Sequence, residues 1–367
     1  MKTLYIHIPF CKKKCFYCSF VVSVGQERRI GSYLDSLERE ARQYSREEIQ
    51  SVYIGGGTPT LMSLDELKKL FSIVRKNFDV VSNAQWTIES NPEGLSSSKL
   101  KLLKEKGVDR ISLGAQTLND KYLKYLGRNH DSSMAIEAFE RIKDIGFDNV
   151  NIDLMFAFPD QTMSELKKDV EAVIRLGSDH LSLYTLTVEE HSRFYTRNIQ
   201  LEDSQYQAAQ YLLVCGVLEA EGFHQYEISN FAKPSKISQH NLKYWQGGEY
   251  IGLGVGAHSY IDGERFWNTS RLNDYMAAMQ KGSSAKEGSE ILTVFDQMKE
   301  VVLFGLRMNR GISVERTKER FGCFLNDEQK EKIDRFIENG FLIEGDGYLK
   351  ASPKGRLVLD ELCAQLI

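Results

Sequence analysis

The sequence predicts an α/β fold: a partial (open) TIM-like βα barrel of about six strands, followed by a small winged-helix-like α+β domain. Three observations predict it. Short β-rich runs alternate with amphipathic stretches at roughly thirty-residue intervals up to about residue 185, the spacing of crossover units in a parallel sheet. Residues with chemical potential stand just after these runs, at the strand C-terminal ends where a βα barrel carries its site. From about Leu292 the rhythm gives way to three helical patterns, two short strands around Asp346-Gly347, and a final helix from Ser352.

Taken in order, the strand candidates are TLYIHI, SVYIGGG, WTIES, RISLGAQ, VNIDLMF and HLSLYTL. Helical patterns lie between them at Ile30 to Tyr44, Leu64 to Asn77, Ser97 to Lys106, Ser133 to Ile145 and Met163 to Leu176, with Ser63, Ser96 and Thr162 as N-cap signals. His7 and Cys11 follow the first strand, Gly55 to Pro59 the second, Glu89 the third, Gln116 the fourth and Asp153 the fifth. Beyond residue 200 come a helix from Gln205 to Glu221, a strand-like HQYEIS, the polar loop AKPSKISQHNLKYWQGGEY and the glycine-rich IGLGVGAHSY. The expected organisation is a barrel core over residues 1–200, a barrel extension with the HNLKYW loop over 201–290, and the winged-helix-like domain over 291–367.

With 367 residues, 42% hydrophobic and 27% charged, the chain suits a globular protein with a well-buried core. Lys plus Arg is 47 and Asp plus Glu 51, a net charge of -4, which excludes a general nucleic-acid footprint. The second helix of the C-terminal module, SVERTKERF, mixes Glu315 and Glu319 with Arg316, Lys318 and Arg320, a poor phosphate clamp. A substrate lid or partner surface is expected there instead of DNA binding. MKTLYIHIPFC is too short an apolar run for a secretory signal and no stretch reaches membrane-spanning length, so a cytoplasmic protein is expected. Cys215, Cys323 and Cys363 lie far apart and read as single thiols of a reducing compartment.

YIHIPFCKKKCFYCSF concentrates the remaining cysteines, Cys11, Cys15 and Cys18, in C-x3-C-x2-C spacing. Zinc, an iron–sulfur cluster and a redox-active pair are the alternatives. Structural zinc wants four closed ligands, and no second Cys or His pair follows; a dithiol leaves Cys11 unexplained. An iron–sulfur cluster fits best, because three ligands on four irons leave one iron open. In YIGGGTP, consecutive glycines after a strand either make a tight turn or expose backbone to a ligand. Neither a Walker loop nor GxGxxG is present. Glu89 in ESNP, Gln116 in GAQT, Arg128 in LGRNH and Asp153 in NIDL are capping residues or, if convergent, the groups that a nucleoside-linked amino acid needs. His240, Tyr244 and Trp245 in QHNLKYW, and His224 and Tyr226 in HQYE, are exposed loop residues or contacts for a planar cofactor.

C-x3-C-x2-C after YIHIPF, followed by GGGTP and ESNP, resembles the radical S-adenosylmethionine superfamily. Within it, LGRNH, NIDLMFAFPDQT, HQYEISNFA, HNLKYW and the C-terminal module resemble the oxygen-independent coproporphyrinogen III oxidase group through nearly the whole chain. The resemblance implies a [4Fe-4S] cluster on Cys11, Cys15 and Cys18, whose open iron chelates S-adenosylmethionine for reductive cleavage to a 5'-deoxyadenosyl radical. Tyr5, Tyr17, Gly56, Gly57, Thr58, Glu89, Gln116, Arg128 and Asp153 then line the S-adenosylmethionine pocket, and a flavodoxin or ferredoxin is the implied type of electron donor.

Two branches of that group differ in role, a decarboxylating oxidase and a heme chaperone. Phe20 stands where the oxidase type carries a further cysteine, the first strand begins where that type has an N-terminal extension, and HNLKYW matches the H-N-x-x-Y-W signature of the chaperone branch. The expectation is a heme chaperone whose cargo passes to acceptor proteins, respiratory hemoproteins among them, with at most peripheral membrane contact. The alternatives are the oxidase itself and a binding module with a purely structural cluster. The chain departs from the group's pattern at Ala157, Asp160 and Ser238; the last stands where a cysteine often precedes the HN pair, so His240 or Tyr244 becomes the expected heme ligand.

Overall fold

The computed structural model describes residues 1–366. Its centre is six adjacent parallel strands: Lys2–Ile8, Glu48–Gly56, Asp79–Ser90, Arg110–Gln116, Val150–Phe156 and His180–Thr185. The sheet stays open and continues at both edges. Tyr250–Leu253 pairs parallel with the first strand and leads into the antiparallel His258–Ile261, Glu264–Asn268 and Lys286–Ile291; Asn230–Ala232 and His224–Glu227 extend the sixth strand antiparallel. A partial βα barrel of six strands is therefore the fold, as expected.

The crossover helices form where the sequence signals them. Leu64–Asn77 and Met163–Arg175 each begin with a reciprocal capping box, Ser63 with Glu66 and Thr162 with Glu165, which satisfies backbone N–H groups that have no intrahelical partner. Their apolar stripes pack on the outer face of the sheet. Each strand alternates accordingly: Leu4, Ile6 and Ile8, then Val52 and Ile54, then Trp86 and Ile88 face the helices and are buried there. The opposite positions carry Thr3, Tyr5 and His7, then Ser51, Tyr53 and Gly55, then Thr87 and Glu89, then Arg110 and Ser112, then Asn151 and Asp153. The barrel interior is thus a polar wall.

Two features differ from the sequence expectation. The HNLKYW segment is not a loop: Gln239–Trp245 is a helix, and Ser238 is its N-cap, accepting the Asn241 N–H at 3.3 Å. His240 is buried at 2% exposure, because that helix leans on the second strand. A serine there caps a helix that a cysteine would cap poorly.

A separate apolar cluster holds the C-terminal segment. Val294–Leu306, Val314–Phe321 and Asp327–Glu338 pack with the three-stranded sheet Ile312–Ser313, Tyr348–Ala351 and Leu342–Gly345, and Leu359–Leu366 closes it. Among the described residues, no helix is long and apolar enough to cross a membrane.

Candidate functional site

Pro9 turns the chain out of the first strand into the loop bearing Cys11, Cys15 and Cys18. Two anchors fix that loop. On one side Gly57 N–H donates to the Ile8 carbonyl and Thr58 N–H to the Phe10 carbonyl, both at 2.8 Å. The approach demands glycine: a Cβ on Gly57 would lie 2.6 Å from Phe10 O and 2.9 Å from Cys11 Sγ. On the other side Phe16 N–H donates to Leu126 O at 2.9 Å, and the Phe16 ring sits where a Cβ on Gly127 (φ +73°) would fall, at 2.8 Å. This places Cys15 beside Arg128.

Arg128 ties the loops together. Its Nη1 donates to Cys15 Sγ at 3.4 Å, and its Nη2 to Asn91 Oδ1 at 2.8 Å and Gly114 O at 2.7 Å. Asn91 Nδ2 donates to Thr58 Oγ1 at 2.9 Å, and Thr58 Oγ1 stands 3.6 Å from Cys11 Sγ. A continuous polar chain therefore runs from Cys15 through Arg128, Asn91 and Thr58 to Cys11. Burial pushes the Cys11 thiol up to about 11 and raises Cys18 as well. Burial also raises the Tyr17 hydroxyl, against the pull of the Arg128 charge beside it. Among the described residues, no three His, Cys, Asp or Glu side chains share a point that one metal ion could occupy.

Deeper in the mouth, Glu89 accepts the Gly56 N–H at 3.0 Å and the Tyr53 hydroxyl at 2.8 Å. A Cβ on Gly55 would meet the Glu89 carboxyl at 2.9 Å, so a glycine there is what lets the carboxyl reach the loop. With the Gly56 and Gly57 N–H groups engaged, the loop's carbonyl oxygens are what it can offer a ligand, which suits an ammonium group. Burial, then the Asp153 charge, pushes Glu89 up to about 7. Asp153 lies within the fifth strand, not at its end, and accepts from Asn151 Nδ2 at 2.7 Å and Ser112 Oγ at 3.3 Å. Gln116 ends the fourth strand with φ +70°, at a register irregularity. Left-handed backbone at a non-glycine residue is strain of the kind that clusters at ligand sites. The Tyr5 hydroxyl is bonded to His7 Nδ1 at 2.9 Å.

The residues expected to hold heme are differently placed. His240 Nδ1 is 2.9 Å from Ser51 Oγ and Nε2 is 3.0 Å from the Tyr244 hydroxyl, so both ring nitrogens are committed. Burial and the Arg110 charge push this imidazole down to about 3. Sequence reasoning assigned no role to Asn91, Tyr53 or Arg110. Asn91 sits inside the quoted ESNP, and Tyr53 and Arg110 share the strand face of Glu89, so the period-2 alternation was the signal that could have found them.

A half-barrel of parallel strands with three thiols in the first βα loop and a glycine loop after the second strand defines a radical S-adenosylmethionine protein of the coproporphyrinogen oxidase-like group. Residues 5–173 match the Radical SAM superfamily and residues 292–358 the HemN C-terminal domain. The chain is 36% identical over 372 residues to the heme chaperone HemW of Bacillus subtilis, covering 99% of this chain and 98% of that protein. It is 35% identical to HemW of Lactococcus lactis (96% and 93% covered), and 32% to the mitochondrial radical S-adenosyl methionine domain-containing protein 1 of Danio rerio (100% and 86%). The chain belongs to the HemW heme chaperone family. Its fold matches the solved coproporphyrinogen III oxidase (HemN) of Escherichia coli with a TM-score of 0.86 at 24% identity, covering 99% of this chain and 89% of that one.

Proposed function

We propose that this protein is a heme chaperone that binds a [4Fe-4S] cluster, S-adenosylmethionine and heme, and passes heme to acceptor proteins. Residues 1–200 serve as the cofactor barrel, 201–290 as its extension toward heme, and 291–367 as a lid or partner surface. The observation that carries the reading is the polar chain from Cys15 through Arg128, Asn91 and Thr58 to Cys11. It couples two of three thiols to the glycine loop, and the buried Arg128 Nε has no hydrogen-bond partner among the described residues. Such a donor set fits an anionic, thiolate-bound cluster.

Cys11, Cys15 and Cys18 would hold the cluster, which when bound supplies an electron and an open iron for the amine and carboxylate of S-adenosylmethionine. Gly56, Gly57 and Thr58 present carbonyl and hydroxyl oxygens toward the ammonium group. Glu89, Gln116 and Asp153 offer acceptors to the ribose, Arg128 neutralises negative charge, and Tyr5 and Tyr17 close the walls. A reduced flavodoxin or ferredoxin in the cytoplasm is the proposed type of electron source, with respiratory hemoproteins as recipients through peripheral contact.

The test is anaerobic reconstitution. Wild type should take up iron and sulfide, bind heme saturably and leave coproporphyrinogen III unconverted, and Cys11→Ala, Cys15→Ala and Cys18→Ala should each lose the iron. Full iron in any cysteine variant overturns the cluster assignment, and robust conversion of coproporphyrinogen III overturns the chaperone reading in favour of the oxidase.

A further inference from the structure

A cavity of about 500 Å³ opens between the end of the cysteine loop (Ser19 to Val21), the first two strands, the Gln239–Trp245 helix and the start of the His258–Ile261 strand. Its size is that of a small-molecule site. Tyr53, Tyr244 and Tyr250 supply aromatic walls, and Phe20, at 64% exposure, stands at its mouth. Phe20 thus offers an apolar face to whatever enters the cavity.

Three histidines line this space, and they are not equivalent. His7 uses both nitrogens, Nδ1 on the Tyr5 hydroxyl at 2.9 Å and Nε2 on the Val21 carbonyl at 2.8 Å. His240 uses both, on Ser51 and Tyr244. Among the described residues, neither ring nitrogen of His258 has a hydrogen-bond partner, and its side chain is exposed. An iron donor needs a free nitrogen lone pair and a fixed ring.

His258 has both. Its ring stacks on Trp267, directly opposite on the neighbouring strand, at 5.7 Å between centroids and 25° between planes. Its backbone is closely packed and paired: a Cβ on Gly252 would lie 2.0 Å from the His258 carbonyl, His258 pairs with Trp267 in the sheet, and Gly256 N–H donates to Thr269 O at 2.9 Å. The platform is therefore built before any ligand arrives.

We infer that His258 is the axial donor to heme iron, with the porphyrin seated in this cavity between Phe20 and the tyrosine walls. The inference rests on the heme-chaperone reading and assigns His240 to a structural role within it. The seat adjoins the S-adenosylmethionine residues, since Tyr5 and Tyr53 face both spaces.

Ferric heme is titrated anaerobically into the cluster-loaded full chain, read by difference absorbance and by heme electron paramagnetic resonance. Wild type should saturate with a nitrogen-ligated signature. His258→Ala should lose that signature and bind at least tenfold more weakly, added imidazole should restore the spectrum, and His224→Ala, an exposed histidine on the far sheet edge, should behave as wild type. Phe20→Glu should weaken binding while keeping the axial signature. If His258→Ala keeps the wild-type spectrum and affinity, or Phe20→Glu changes nothing, the seat is elsewhere and the chaperone reading survives. If wild type itself does not saturate, that reading falls and this inference with it.

Discussion

Glu40 offers a test of how the backbone leading to His258 is braced. This residue of the Ile30–Ala41 helix is buried, and its carboxyl accepts Gly254 N–H at 2.8 Å, the Tyr275 hydroxyl at 2.7 Å and Asn268 Nδ2 at 2.5 Å. Gly254 precedes His258 by four residues, so Glu40 holds the backbone that leads into the platform. Burial outweighs the three hydrogen bonds and lifts the carboxyl from its ordinary 4.5 to about 7. In the unfolded chain it ionises near the ordinary value, so between these limits folding takes up a proton. The contribution is complete below the unfolded pKa and is lost as pH rises through about 7. A gap of about two and a half pH units, at about 1.4 kcal/mol each, is on the order of 3 kcal/mol, of which about 2 kcal/mol falls between pH 5.5 and 8. Glu40→Gln removes the titration while mimicking the protonated acid: one oxygen serves Gly254 and Tyr275, and the amide meets Asn268, which cannot turn without giving up its own bond to Gly254 O at 2.8 Å. Urea midpoints followed by tryptophan fluorescence at pH 5.5 and 8 should therefore show wild type losing about 2 kcal/mol more than Glu40→Gln. Parallel pH profiles, or wild type gaining on the variant as pH rises, would refute the dominance of burial over the three donors.

Two further outcomes follow from contacts already described. Gly57→Ala drives a methyl group against Phe10 O and Cys11 Sγ and should at least halve the iron bound per chain. Gly216→Ala, in the Ser204–Ala220 helix with nothing within 4 Å of the added carbon, should keep its iron and gain about 0.5–1 kcal/mol; equal iron in both variants contradicts the close-approach argument. His240→Ala strands the buried Ser51 hydroxyl and empties the space against Tyr53, so it should cost about 2–4 kcal/mol in chemical denaturation. Unchanged stability together with an altered heme spectrum would mark it as a ligand after all.

The parts legible in the sequence were those decided locally. Ser63 and Thr162 announce their helices because a capping side chain acts within four residues, and the strands announce themselves by alternation bounded by glycine and polar residues. Pairings set by distant chain were not legible: Tyr250 falls in the expected barrel extension, yet nothing near it says that it will lie parallel to the first strand. The HNLKYW segment misleads for a related reason. Its polar composition reads as a solvated loop, yet Ser51 and Tyr53, nearly two hundred residues earlier, receive His240, and that tertiary contact decides both burial and helix. Among the site residues, the cysteines and glycines were legible because a cluster and a close approach each demand one residue type. Asn91 was not, because an amide that links Thr58 to Arg128 looks like any turn residue until both partners are in place.

The polar inner wall explains why His240 is a brace while His258 stays available. Arg110 is 1% exposed, and its Nε and Nη1 have no hydrogen-bond partner among the described residues; Nη2 alone approaches a neighbour, His180 Nδ1 at 3.4 Å. Unpaired buried donors cost about 1–3 kcal/mol each, so hydrogen bonding does not account for this residue. Its charge does. The same guanidinium opposes the burial that raises Glu89 and Asp153, and adds to the burial that lowers His180 and His240. One buried cation thus keeps two carboxyls closer to ionisation and two imidazoles neutral, which no local pairing among those four groups could do. The neutral His240 can then both donate and accept between Ser51 and Tyr244, whereas a protonated ring could only donate. Across the barrel mouth two acids, Glu89 and Asp153, stand against two bases, Arg110 and Arg128, and burial holds both acids above their ordinary values. His258 is not among the groups that the Arg110 guanidinium shifts, and neither of its ring nitrogens has a hydrogen-bond partner among the described residues.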